Sequence, residues 1–392
     1  MNININVKET NIPEGIIDIV SQLPDINQLE GDTTITLIFS DKFVFRTGLV
    51  LLSTWRKTLP KHVKVIIDDH RCPENTKRVL INSGFRDLIE KNDENPSNTH
   101  YIPGKVPLQP IVHGFSTENA ISKMVNIFDE YANDWIEMQA FRVLLSELCE
   151  NSFAHSEFET PGYFAADLHK SSGFCEIAIA DSGIGILNSY REGTNEEAKK
   201  RISNGASALD LAIDGLSSSK PVPLPGTLRS YYGYGLFIVR RLMEENAGRL
   251  TIVSGSDCLT IEKHQKNRLG LKKPWRGTFI GLLINTANPL PLQEVYDEGV
   301  SLLVPENILK NKKETIISER TSDITTKQLI LANYGTLLLT REVGIAIRAD
   351  LATMLAGETR VEIVLDKVED LTPSVADEVF GKIAESMGVI NY

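Results

Sequence analysis

One segment, residues 141–156, constrains the fold of this chain more than any other because it predicts a helix with two different faces. Its apolar residues recur at intervals of three and four, so one stripe of the helix should pack on a core. On the other face, Glu147, Asn151 and His155 form a polar row. A carboxylate can deprotonate a nucleophile and an amide oxygen can ligate a hard cation, although polar rows on helices are usually solvated.

The composition describes an acidic globular protein with room for more than one domain. At 392 residues the chain is long enough for two or three domains, each with its own core. A net charge of −11 argues against a nucleic-acid-binding surface, so protein partners or small ligands are expected. The four cysteines contain no CxxC pair, and neither a signal peptide nor a membrane-length apolar run is present. These features predict a soluble cytoplasmic protein.

The N-terminal part of the chain has the strand, helix, strand, helix pattern of a small α/β domain. We assign this domain to residues 1–95, and we assign the polar, proline-containing segment 96–114 to a linker. The helix that ends the domain should break at Ser83 and Gly84. Strands are expected at 34–39 and 64–68, and helices at 48–58 and 74–88.

The sequence DSGIGI begins at Asp181, directly after two runs that predict strands at 162–168 and 174–180. Gly183 and Gly185 permit a tight turn where a planar ligand can approach the backbone. Asp181, at the end of a buried strand, offers a fixed acceptor for an exocyclic amine such as that of adenine. The same residues also suit an ordinary turn at the exit of a strand.

A long polar and irregular stretch, residues 187–232, separates this turn from a second glycine motif. A stretch of this length inside a domain is usually a disordered insertion or a functional lid. After it, Gly233, Gly235 and Leu236 belong to a GYGL motif that opens an apolar helix, and amides at such a helix start bind phosphate. Thr278 introduces the last strand, where its hydroxyl either lies near the same ligand or belongs to a simple turn.

In this order, the segments resemble the ATP-binding domain shared by gyrase-type topoisomerases, large heat-shock ATPase chaperones, histidine kinases and MutL proteins, the GHKL superfamily. The resemblance covers residues 115–287 and rests on an ExxxN helix, DSGIGI, GYGL and the RGT before the last strand. It implies an α/β sandwich of helices on a mixed sheet, with ATP between the helices and a lid at 187–232. It also implies ATP and Mg²⁺ as cofactors.

The same resemblance implies roles for single residues. Glu147 would be the general base and Asn151 would ligate Mg²⁺. Asp181 would accept a hydrogen bond from adenine, with support from Thr278. The other positions that would contact the nucleotide are His155, Gly183, Gly185, Gly233, Gly235 and Leu236.

The surroundings of this domain favour a regulator. The segment ELCENSFAHS is most similar to bacterial anti-sigma-factor serine kinases and related regulators. After a linker at 288–323, residues 324–392 resemble the STAS-like fold of anti-sigma-factor antagonists, and the N-terminal domain has a compatible element order. Thr372 and Ser374 match the turn that carries the phosphoacceptor in such antagonists, although helix capping accounts for Thr372 as well.

The fold class we expect is α/β (α+β), a two-layer GHKL sandwich flanked by small STAS-like domains. The predicted function is an ATP- and Mg²⁺-binding regulator that hydrolyses ATP and switches protein contacts through closure of its lid. Two alternatives stay open: a serine/threonine protein kinase that acts on a STAS-like partner, and a sensor that binds ATP without turnover. A protein partner is expected, a homodimer stays open, and neither nucleic-acid nor membrane binding is expected.

Overall fold

The structure is a computed structural model that forms two compact units. The first unit comprises residues 1–221 with 232–299, and the second comprises residues 222–231 with 300–392. The residues that the structure describes are 1–29, 31–40, 44–92, 102, 104–111, 121, 144–145, 148–149, 151–152, 162–169, 171–214, 235–292, 294–295, 326–335, 337–338, 341–355, 360–368, 370–371 and 373–381.

A three-stranded parallel sheet with four helices opens the first unit. Its elements are β1 (Asn2–Val7), α1 (Glu14–Gln22), β2 (Thr34–Phe39), α2 (Arg46–Thr58), β3 (Lys64–Asp68), α3 (Glu74–Asn82) and α4 (Phe85–Lys91). The strands pair in the order β1-β2-β3. Both predicted strands are confirmed, and so is the helix break, where Gly84 has a φ of 78° that suits glycine.

A five-stranded antiparallel sheet forms the rest of the framework. Its strands are β4 (Lys105–Ile111), β5 (Gly162–His169), β6 (Phe174–Asp181), β7 (Arg249–Glu262) and β8 (Gln265–Asn285). They pair in the order β4-β5-β6-β8-β7. The strands predicted at 162–168 and 174–180 are confirmed. The sequence also predicts strands at 250–254 and 278–285, but β7 and β8 extend well beyond these segments and form one long hairpin.

The strand β4 lies inside the segment that the sequence assigned to a linker, so that assignment is wrong for residues 105–111. This strand contains two prolines, Pro107 and Pro110, and Pro107 is one of the residues that predicted a linker. Both are compatible with β4 because it lies at the edge of the sheet, and its pairing with β5 is interrupted between Val106 and Gln109. Proline lacks an amide proton and is therefore tolerated at an edge or an irregularity.

The two faces of the five-stranded sheet carry different side chains because neighbouring residues of a strand point to opposite faces. On one face α2 packs on β5 and β6, and α1 packs on β8, so the core of the N-terminal sheet continues onto this face. One row of this face consists of Tyr163, Ala180, Phe279 and Val253. The neighbouring row, on the opposite face, consists of Phe164, Ile179, Ile280 and Ile252.

Buried polar contacts fasten α2 to the sheet. The guanidinium of Arg46 lies 2.8 Å from the carboxylate of Asp167, and both side chains are at most 4% exposed. Further along α2, the hydroxyl of Thr54 donates to the carbonyl oxygen of Ala180 at 3.3 Å. The N-terminal elements therefore share both an apolar core and hydrogen bonds with the five-stranded sheet.

The region predicted as an irregular lid begins with helices. These are α5 (Gly185–Glu192), α6 (Glu196–Ser203) and α7 (Ala208–Ile213), and α8 (Gly235–Glu245) follows the region. Residues 215–234 lie outside the described part of the chain. Both α5 and α8 pack on β7 and β8, and Arg240 of α8 donates to the carbonyl oxygen of Ile213 at the end of α7.

The second unit contains two pairs of parallel strands around a helix. Its elements are β9 (Thr326–Ile330), β10 (Leu337–Leu338), α9 (Arg341–Leu355), β11 (Arg360–Val364), β12 (Asp370–Leu371), α10 (Pro373–Ala376) and a π-helical turn (Asp377–Gly381). The sequence of this unit predicts strands at 328–332 and 361–365 and a helix at 341–355. The helix is confirmed, and β9 and β11 lie close to the predicted strands. Thr372 and the side chain of Ser374 lie outside the described part.

The chain thus has a mixed α/β fold with open sheets. Within the ranges given above, no helix combines the length and the apolar character that crossing a membrane requires.

Candidate functional site

The centre of the candidate site is the carboxylate of Asp181, the last residue of β6. Its Oδ1 accepts hydrogen bonds from the backbone amides of Gly183 at 2.8 Å and Thr278 at 3.2 Å. Among the described residues, these two amides are its hydrogen-bond donors, so Oδ2 is left for an incoming donor. The two bonds fix the orientation of the carboxylate because they come from different parts of the chain.

Burial changes the acid–base chemistry of this carboxylate. Asp181 is only 5% exposed. Loss of hydration raises its pKa from the usual 3.8 to about 7, and the two amide hydrogen bonds oppose this increase without cancelling it. Near neutral pH, the group therefore exchanges between a charged acceptor and a neutral acid.

Two glycines with left-handed backbone conformations let the chain pass close to Asp181. Gly277 has a φ of 101°, and a Cβ placed there would lie 2.1 Å from the backbone oxygen of Asp181. Gly185 has a φ of 75°, and its Cβ would lie 2.9 Å from Oγ of Ser254 and 3.0 Å from the carbonyl oxygen of Gly277. Because any side chain at these positions would be strained and would clash, the backbone can pass this close to Asp181 and Ser254 only with glycine there.

Ser254 is a site residue that the sequence analysis did not identify. Its Oγ accepts from the amide of Ile186 at 2.9 Å and donates to the carbonyl oxygen of Gly277 at 2.9 Å. It lies on β7, directly opposite Thr278 of β8. No local motif marks this serine, because only the register of β7 against β8 brings it to the site.

Position in the sheet explains why these polar residues meet. Asp181 is paired with Gly162, and Ser254 with Thr278, at the end of the sheet and on the face opposite α2. The preceding residues on this face are apolar, as in Ile179 of β6. A polar corner thus closes an otherwise apolar face, which is an arrangement typical of ligand sites.

The other predicted site residues lie on separate elements. Asn151 is half-buried on a helix whose neighbouring Leu148 and Ser152 are buried, in agreement with the predicted two-faced segment. Gly235 begins α8, and Leu236 packs on a small cluster that also receives Ile186 of α5. The corner and the start of α8 are therefore connected through this cluster.

Three of the predicted positions, Glu147, His155 and Gly233, lie outside the described residues. In the described part, no group of three or more His, Cys, Asp or Glu side chains is arranged to hold a metal ion. The role of Asn151 as a ligand of Mg²⁺ stays a prediction.

Comparison with known proteins adds no relative: no model of a known protein family matches the chain, and no curated protein sequence matches it.

Proposed function

We propose that this protein binds ATP, with the adenine base at the Asp181 corner, and acts as an ATP-dependent regulator. The observation that carries the proposal is the buried carboxylate with one oxygen held by two backbone amides and the other oxygen left for a donor. The exocyclic amine of adenine is a donor of the required kind.

A purely structural role explains the carboxylate less well. A turn that required only an acceptor for the amides of Gly183 and Thr278 would be served by a neutral Asn, without the cost of burying a charge. Asp181 instead carries a pKa raised to about 7 by burial. Strongly perturbed titratable groups in partly enclosed positions occur preferentially at functional sites.

The order of motifs supports a GHKL-type arrangement for the rest of the site. In this proposal Asn151 ligates Mg²⁺, Gly235 and its neighbours contact the phosphates, and Glu147 is the general base. The bound nucleotide would supply the phosphoryl group, while the chain positions it and holds the attacking group. Hydrolysis with a switch of protein contacts is the function we favour, because the sequence retains a carboxylate at position 147.

Two alternatives use the same binding site. In a serine/threonine kinase of anti-sigma-factor type, Glu147 would activate a hydroxyl of a STAS-like partner instead of water. In a sensor, ATP would bind without turnover. The second unit is a candidate recognition module in either case, because the sequence of residues 324–392 resembles a STAS-like domain.

Binding is tested by titrating ATP and GTP into the wild type and the Asp181→Asn variant at constant pH, followed by calorimetry. Asn keeps an oxygen for the two amides but places an NH₂ group where Oδ2 lies, so ATP affinity should fall by about ten- to a hundredfold. Asp257→Asn is the matched control because that carboxylate is 46% exposed on β7. Equal ATP affinity of wild type and Asp181→Asn would overturn the proposal.

Turnover is tested separately with γ-labelled ATP and Mg²⁺, comparing wild type with Glu147→Ala. Free phosphate that disappears in the variant identifies an ATPase, whereas label on the protein or on an added STAS-like partner identifies a kinase. ATP binding with neither product identifies the sensor.

A further inference from the structure

Ser254 differs from the other residues of the corner because its side chain joins two segments that do not hydrogen-bond to each other through their backbones. The segments are the loop that starts α5, represented by Ile186, and the irregular part of β8 at Gly277, where the pairing with β7 shifts register. Ser254 itself lies on a third segment, β7, and is only 5% exposed. One hydroxyl therefore connects three parts of the chain.

The start of α5 needs a partner from outside the helix. The first amides of a helix have no acceptor within it, and a side chain just before the helix usually accepts from one of them. At α5 the residue in that position is Ile184, which has no such side-chain hydrogen bond. Ser254 supplies the acceptor across the sheet, at 2.9 Å from the amide of Ile186.

The second hydrogen bond determines the direction of the first. A serine hydroxyl has a single proton. Because this proton is donated to the carbonyl oxygen of Gly277, the oxygen lone pairs remain for the amide of Ile186. Gly185 lets the two segments come this close, since a Cβ there would lie 2.9 Å from Oγ of Ser254.

These contacts close a ring of hydrogen bonds around the site. Asp181 Oδ1 binds the amides of Gly183 and Thr278. Gly183 belongs to the segment that Ser254 holds through Ile186, and Thr278 to the one that it holds through Gly277. The position of both donors to the carboxylate thus depends on the same hydroxyl.

We infer that Ser254 is a positioning residue for nucleotide binding, which holds the α5 loop against the irregular part of β8 at Gly277 so that Asp181 presents one fixed oxygen to the base. The inference rests on the proposed function for its ligand and adds a residue of β7 to the site. Ser254 acts through Asp181 and the two glycine-containing segments, without a role in the chemical step.

The test compares Ser254→Ala with Thr251→Val, a control that removes a buried hydroxyl from the same strand but on the opposite face. ATP affinity should fall by about tenfold in Ser254→Ala, as expected for two lost hydrogen bonds that align the acceptor, and stay within about twofold in Thr251→Val. Unchanged affinity in Ser254→Ala, when the wild type binds ATP, overturns the inference.

A second readout needs no nucleotide. For the wild type, Ser254→Ala and Thr251→Val, the free energy of unfolding is measured against pH with and without the additional change Asp181→Asn. In each case the difference reports the pH at which Asp181 titrates in the folded state. This midpoint should shift by at least about half a pH unit in Ser254→Ala, because amide donation to Oδ1 and access of water both change, and it should stay in place in Thr251→Val.

The two readouts separate the two proposals. If the wild-type protein binds no adenine nucleotide, the proposed function is overturned. The pH at which Asp181 titrates then tests, without any nucleotide, whether Ser254 positions this carboxylate. A midpoint that is the same in Ser254→Ala as in the wild type overturns the positioning role. If Ser254→Ala does not unfold cooperatively, Ser254→Cys, which fills the site with a slightly larger atom and weakens both hydrogen bonds, provides the same comparison.

Discussion

Replacing Asp181 with Asn should make the protein more stable at neutral and alkaline pH. The folded-state pKa of this carboxyl is raised from 3.8 to about 7, so the folded protein holds a proton that the unfolded chain has already released between these values. The favourable contribution of Asp181 to the free energy of unfolding is therefore fully present below pH 3.8. It is lost as the pH rises to about 7. The full shift corresponds to roughly 4 kcal/mol, since each pKa unit is about 1.4 kcal/mol.

Asn at position 181 retains an oxygen for the amides of Gly183 and Thr278 but cannot ionise. The free energy of unfolding of the variant should accordingly exceed that of the wild type by an amount that grows by about 2.5 kcal/mol between about pH 5 and about pH 8. The measurement is urea unfolding of both proteins across this range, with the difference taken at each pH so that other titrating groups cancel. A stability difference between the two proteins that is independent of pH would refute the argument that burial raises the pKa of Asp181. An Asn variant that is less stable than the wild type at every pH would show that contacts in the folded protein stabilise the charged carboxylate.

Three other substitutions test the framework of the site by urea unfolding. Arg46→Ala should lower the free energy of unfolding by about 3 kcal/mol, because the buried carboxylate of Asp167 loses the guanidinium 2.8 Å away. Removing both side chains should lower it by less than the sum of the two single changes. Gly277→Ala should lower the free energy of unfolding by at least about 3 kcal/mol and abolish ATP binding. The control Gly255→Ala should lower it by only about 1 kcal/mol, because Gly255 has a φ of 59° but open space where the Cβ would lie. Asn246→Ala should lower the free energy of unfolding by about 3 kcal/mol, because the side-chain NH₂ group of Asn246 donates to three carbonyl oxygens within 3.2 Å. A decrease below about 1 kcal/mol would show that water replaces these hydrogen bonds.

The elements that the sequence predicts well are those whose apolar pattern is local. Residues 34–39, 64–68 and 174–180 are short apolar runs, and they form β2, β3 and the main part of β6. The helix at 341–355 is found at the predicted bounds because helical spacing and polar flanks mark both of its ends.

The elements that were missed depend on partners far away in the chain. β1 is an exception, since its alternation of Asn with Ile is a local pattern typical of a half-buried strand and was overlooked; it pairs with β2, about thirty residues later. The outer half of β8 is polar and basic, and only its pairing with β7 makes residues 265–275 a strand. β4 contains two prolines, and its place at the edge of the sheet is what accommodates them.

The candidate site shows the same limit. Asp181, Gly183 and Gly185 were found because they are close in sequence, and Thr278 because of the motif around it. Ser254 belongs to the same corner but has no motif, since its position results from strand register alone. Burial of Asp181, and therefore its raised pKa, also depends on the fold and could not be predicted from DSGIGI.

The contact between Thr54 and Ala180 bears on which fragment of this protein can be studied alone. Ala180 and Asp181 share a peptide unit, so the hydrogen bond from α2 reaches the neighbour of the site residue across a single carbonyl. A fragment that starts at residue 115 would lack this bond, the edge strand β4 and the cover over Phe279. If the protein binds ATP as proposed, a partner that displaces α2 would remove this hydrogen bond from the peptide unit next to Asp181, and the N-terminal elements could influence ATP affinity from behind the sheet.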